Sequence, residues 1–148
     1  MAILDAQNRF SNEQAITASA ASENYLDMGA PGTPMHAAAA LDVDSGNPDC
    51  LYLSAFVTET FATLTSLKIA VQVDDNTSFS SATTVFETEA IVAADLVAGN
   101  WIRGLRLPRG LTERYVRLYF TVAGSNATAG KITAGFAMGE QSAMVTGV

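Results

Sequence analysis

Residues 110–139 read GLTERYVRLYFTVAGSNATAGKITAGFAMG. Two period-2 segments flank a small polar stretch. In the first, Val116, Leu118, Phe120 and Val122 alternate with Tyr115, Arg117, Tyr119 and Thr121. In the second, Ile132, Ala134, Phe136 and Met138 alternate with Lys131, Thr133, Gly135 and Ala137. Successive side chains of a strand point to opposite faces, so each segment offers one apolar and one more polar face. Between them, Ala123 to Ala129 holds Gly, Ser and Asn, residues that reverse a chain at little cost. The stretch predicts an antiparallel β-hairpin with one face on a core.

The same alternation recurs upstream. Leu67, Ile69, Val71 and Val73 share a face between Leu67 and Asp74, as do Leu51, Leu53, Ala55 and Val57 between Leu51 and Thr58. Thr83 to Ile91 alternates without a clear apolar face, which suits an edge strand or a contact surface. Asn24 to Met28 reads as a strand that Gly29 to Pro34 ends firmly. Trp101 to Leu107 reads as a short strand closed by Pro108 and Gly110. Glu13 to Ala21 suits a short strand or one helical turn, and Met35 to Asp49 a long loop with room for a strand over Ala38 to Val43. Asp75 to Ser78 makes a turn, after which Phe79 is placed to fold back on the core as a plug. Residues 1–12 lack periodicity and carry isolated apolar side chains, Ile3, Leu4 and Phe10, so they predict an extended arm before one domain over 13–148. Seven or eight short strands, no convincing helix and no internal repeat predict an all-β antiparallel β-sandwich, and eight strands would suit a jelly roll.

The composition narrows the function. Charged residues make up 16% of the 148 residues, below the roughly 25% usual for soluble domains, so part of the surface is expected to lie against a partner. A net charge of -7 argues against nucleic acid, whose phosphates call for clustered Lys and Arg. The single cysteine, Cys50, cannot close an internal disulfide and reads as a small buried hydrophobe. The opening MAILDAQNRFS does not read as a secretory signal, and no apolar run approaches a membrane span, so a cytosol-like compartment and no membrane partner are expected.

Motifs for chemistry fail on spacing. Gly124 to Lys131 resembles a phosphate-binding loop but has one residue too many between its glycines and leads into no helix. Asp42, Asp44 and Asp49 around Gly46 depart from the calcium-loop pattern, and no Glu closes it. Asp74-Asp75-Asn76 reads as a self-bonded turn. His36 alone cannot assemble a zinc site. Glu87 and Glu89 share a strand face, which suits solvent better than paired acid–base work. No enzyme, metal or cofactor is expected. One feature stands out: five of the eight basic residues, Arg103, Arg106, Arg109, Arg114 and Arg117, fall between Trp101 and Tyr119. Either they balance the chain's own acids, or they form a docking patch for an acidic protein surface, anchored by Trp101, Tyr115 and Tyr119.

Three phrases, ILDAQNRFSNEQAIT at 3–17, SLKIAVQVDDNTSFSSATTV at 66–85 and RLPRGLTERYVRLYFTVAGSNATAGKITAGF at 106–136, resemble the Bbp-type capsid cement (decoration) proteins of tailed bacteriophages. The resemblance runs from Ile3 to about Met138 and weakens over Pro31 to Pro48 and in the last ten residues. It implies a jelly roll, made in the host bacterial cytoplasm, that binds the outer surface of the assembled capsid. There it would clamp neighbouring major capsid protein subunits as a symmetric homo-oligomer, a dimer before a trimer. The apolar arm and the Arg-rich stretch, read from the residues themselves, nominate Ile3, Leu4, Phe10, Trp101, Arg103, Arg106, Arg109, Arg117 and Tyr119 as those expected to meet the capsid or a second copy. Two rival classes are a carbohydrate-binding β-sandwich module and a glycan-cleaving enzyme using Glu87 and Glu89.

Overall fold

A computed structural model describes residues 6–30, 32–40, 52–102 and 111–137. Seven strands run in order: β1 (Arg9–Ala15), β2 (Ala20–Asp27), β3 (Tyr52–Asp74), β4 (Thr83–Glu87), β5 (Ile91–Val92), β6 (Trp101–Ile102) and β7 (Tyr115–Ala137). Short 3-10 turns precede β1 and follow β5, and no α-helix occurs among the described residues. Every pairing is antiparallel.

The predicted hairpin at 110–139 is not one. Tyr115–Ala137 is a single strand of 23 residues, and so is Tyr52–Asp74, where two separate strands were expected. β3 and β7 pair along nearly their whole lengths, from Tyr52↔Ala137 to Asp74↔Tyr115, with register shifts between Val57 and Ser66. At those shifts the strand pair turns a corner and passes from one layer of the sandwich to the other. The first layer runs β1, the C-terminal part of β7, the N-terminal part of β3, then β6. The second runs β2, the N-terminal part of β7, the C-terminal part of β3, then β4 with β5 beyond it on the same edge. This succession is the jelly roll, with two of its strand-to-strand connections drawn out into continuous strand. β4 lies at an edge, as its ambiguous pattern predicts.

A corner in a strand pair breaks ladder bonds, and buried backbone groups need partners. At the β3 corner the Val57 N–H donates to Asn100 O (2.9 Å), Gly99 N–H to Val57 O (2.8 Å) and Phe61 N–H to Leu96 O (3.0 Å). At the β7 corner the Ile16 N–H donates to Gly130 O (3.0 Å) and Ala127 N–H to Thr17 O (2.9 Å). The loop before β6 thus closes one corner and the β1–β2 turn the other, and each inserts a fully buried side chain, Leu96 and Ile16. Gly130 holds φ +138, and a Cβ there would overlap the Phe61 ring, so only glycine lets β7 pass this close.

Inward side chains of both layers merge into one cluster. Leu67, Ile69, Val71, Val73, Val116, Leu118, Phe120, Ile132 and Phe136, the core expected from alternation, all belong to it. So does Phe10, which overturns its assignment to an arm reaching a neighbour. Its ring is fully buried and meets Phe136 edge-on at 5.0 Å. Arg9 to Asn12 lie in β1, paired to β7 from Arg9↔Gly135 onward, so no boundary falls after residue 12. The apolar ring finds more contact inside its own sandwich than an arm could offer. Ile3 and Leu4 lie outside the described residues. Residues 32–40 form no strand.

Candidate interaction surface

The two layers turn opposite faces to the outside, and the second carries the larger set of aromatic and cationic side chains. Pairing puts Tyr25, Arg117 and Gln72 in one cross-strand row and Ala21, Tyr119 and Ala70 in the next, all facing outward because Leu26, Val116, Leu118 and Val71 point into the core. Arg117 Nε–H donates to Gln72 Oε1 at 2.9 Å. Its guanidinium lies over the Phe79 ring at 4.3 Å and stands 5.9 Å from the Tyr119 centroid. Tyr25 packs edge-on against Phe79 (6.0 Å) and Tyr115 (5.7 Å).

Phe79 does fold back and is buried, at 7% exposure, beneath Arg117 and Tyr25 on the second layer's outer side and apart from the main core cluster. The turn carrying it is tied to Asp74, which accepts from Asn76 N–H (3.1 Å) and Ser81 N–H (2.9 Å). Burial pushes the Asp74 carboxyl up, but hydrogen bonds from the Asn76 N–H and from Ser81 outweigh it and hold it below its ordinary value of 3.8. Phe79 holds φ +51, a left-handed conformation that costs a bulky residue about 1–3 kcal/mol and persists only where surroundings enforce it.

At the end of β2, Asp27 and Arg114 form a two-pronged ion pair, Nε to Oδ1 and Nη2 to Oδ2, each 2.7 Å. The Arg114 guanidinium and the Gly29 N–H hold the Asp27 carboxyl down at about 2. An open cleft of about 460 Å³ lies beside this pair, between Gln7 and Asn8 on one side and Tyr25 to Met28 on the other. Among the described residues no three His, Cys, Asp or Glu come together in a way that could hold a metal. Glu87 is paired with Lys68 at 3.5 Å and Lys131 with Glu59 at 3.0 Å.

The expected docking patch is divided by the fold. Trp101 pairs opposite Phe56 in the first layer, ring centroids 5.0 Å apart, so it faces away from Arg117 and Tyr119 in the second. Trp101 and Tyr119 stand 18 positions apart in sequence, but β6 and the start of β7 belong to different layers. Arg103, Arg106 and Arg109 lie outside the described residues, as do Cys50 and the Asp42 to Asp49 loop. The reading of the sequence missed Tyr25 and Phe79. Tyr25 was legible, since it alternates with Leu26 and Met28; Phe79 sits in a turn, where no period points a side chain.

A family model described as Bbp16 matches residues 10–136, nearly the whole described sandwich. The chain belongs to the Bbp16 family. No curated protein matches it. Within this Bbp16-family sandwich the matched span opens at Phe10, the first core side chain of β1, and closes at Phe136, the ring it packs against.

Proposed function

We propose that this Bbp16-family protein is a structural component of a tailed-phage virion. It binds the outside of the assembled capsid and cements neighbouring major capsid protein subunits, acting as a homo-oligomer. The observation that carries this reading is the outer face of the second layer, where Tyr25, Tyr115, Arg117 and Tyr119 form one surface over the buried Phe79 ring. Aromatic and Arg side chains dominate the energetics of protein interfaces. Two strands running through both layers make a stiff plate, and repetition over a shell turns modest single contacts into durable adhesion. Purified protein added to phage heads that lack it is expected to bind saturably and to raise the temperature at which the heads break open. Absence of binding under conditions where such heads stay intact overturns the reading.

A second reading, a carbohydrate-binding module, draws on Tyr25, which is 47% exposed and lines the open cleft beside Asn8 and Asp27. Aromatic platforms beside planar polar groups suit sugar rings. Binding on a glycan array that Tyr25→Ala abolishes favours this reading; a silent array removes it.

A further inference from the structure

Five Lys and Arg side chains lie among the described residues, and one of them, Arg9 on β1, has its Nε buried with no hydrogen-bond partner among them. Arg114, Lys68 and Lys131 each sit on a carboxylate, Asp27, Glu87 and Glu59. Arg117 does not: among the described residues its polar partner is the neutral Gln72 amide, and its other contacts are ring faces. In a chain of 15 acidic and 8 basic residues, a cation left on neutral partners at the middle of a sheet face is out of keeping with the balance around it.

Its setting prepares it for a ligand. The bond to Gln72 and the stacking on Phe79 hold the guanidinium in one place, so little freedom is left to lose when it is engaged. Phe79 is itself fixed by the turn that Asp74 ties down. Tyr25 stands opposite Arg117 in the cross-strand row and the Tyr119 ring centroid lies 5.9 Å from its guanidinium, and ring surface beside a charge pair strengthens it. A guanidinium fork matches a carboxylate in shape and charge. Nucleic acid phosphate is disfavoured by the net charge of -7, which repels a polyanion as a whole but not one acidic side chain on a protein.

We infer that the outer face of the second layer is a docking surface centred on Arg117, and that it takes an Asp or Glu side chain exposed on the major capsid protein. This rests on the proposed function and deepens it by naming the face and the chemistry of the contact. Trp101 and the first layer lie outside this footprint.

The test uses the full chain re-bound to phage heads lacking it. Arg117→Ala is expected to weaken binding roughly tenfold, as loss of a hot-spot residue does, and to reduce its salt dependence. Lys131→Ala, in the first layer, is expected to bind as wild type. Thermal melts of each variant separate lost contact from lost fold. Arg117→Lys supplies a second readout, because it places an amine where a zero-length carbodiimide can join it to a touching carboxylate. The expected product links position 117 to an Asp or Glu of the major capsid protein. Wild-type heads binding with Arg117→Ala unchanged overturns the inference and leaves the proposed function standing. A link only to another copy of this chain also overturns it, assigning the face to self-association. Failure of the wild type to bind heads removes the proposed function and this footprint with it.

Discussion

The two outward faces of this sandwich are carried by the same two long strands and could hardly differ more. On the first layer the outward positions of β3 and β7 hold Ser54, Thr133 and Gly135, with the Phe56 and Trp101 rings tilted together to one side and Lys131 paired with Glu59 near the corner. On the second they hold Gln72, Tyr115, Arg117 and Tyr119, joined by Tyr25 from β2 over the buried Phe79 ring from a turn. Inward, both layers show the same branched and aromatic side chains. The core therefore constrains the two halves of each strand alike, while the outer positions are free to diverge. The divergence gathers Arg117 with Tyr25, Tyr115 and Tyr119 on the second layer, against Phe56, Trp101 and the Lys131–Glu59 pair on the first.

The largest expected effect removes both faces together. Phe120 is fully buried where the second layer meets the shared core, and Phe120→Ala should cost about 3–5 kcal/mol in chemical denaturation. A loss below about 1 kcal/mol would mean that the layers do not share one core. Next is the corner that joins the faces. Gly130→Ala adds a Cβ inside the Phe61 ring at a φ that only glycine holds easily, and should cost about 2–4 kcal/mol by the same measurement. A neutral result would show that the two halves of β7 are not one strand.

A third pair of variants separates the faces. Trp101→Ala strips the stack on Phe56 and should lower stability by about 1–3 kcal/mol while head binding stays at the wild-type level. Tyr119→Ala should instead weaken head binding several-fold with a smaller change in the melt. Binding lost with Trp101→Ala and kept with Tyr119→Ala would exchange the roles of the two layers. The smallest effect is on pH. Asp27 and Asp74 both support the second layer, and both carboxyls lie below their ordinary 3.8 when folded, Asp27 at about 2. A depressed carboxylate stabilises the fold above its unfolded value, and that contribution is lost as pH falls through the folded one. Melting temperature should therefore decline from about pH 4 towards pH 2, and Asp27→Asn should flatten the decline. A rise over that interval contradicts the assignment.

Local pattern was enough to say which side chains point inward. The alternation of Leu67 to Val73, Val116 to Phe120 and Ile132 to Phe136 is a property of the strand itself, and each of those apolar positions is buried. The turn at Asp74 to Ser78 was equally legible, because its bonds are made by its own residues. Long-range choices were not. Gly124, Ser125 and Asn126 mark a departure from regular strand, but the same residues serve a reversal and a bulged corner. Only the register with β3, irregular at the same level, decides for the corner. Phe10 looked unattached because its partner, Phe136, lies far along the chain. Trp101 and Arg117 looked like neighbours because they are close in sequence, yet strand order sends them to opposite sides. What the amino-acid sequence determined alone was the inward face of the long strands β3 and β7, since that follows from the two-residue repeat of extended backbone. Which strands lie side by side, and hence which outward residues share a surface, was decided by the tertiary structure, because pairing depends on partners tens of residues away that no local period encodes.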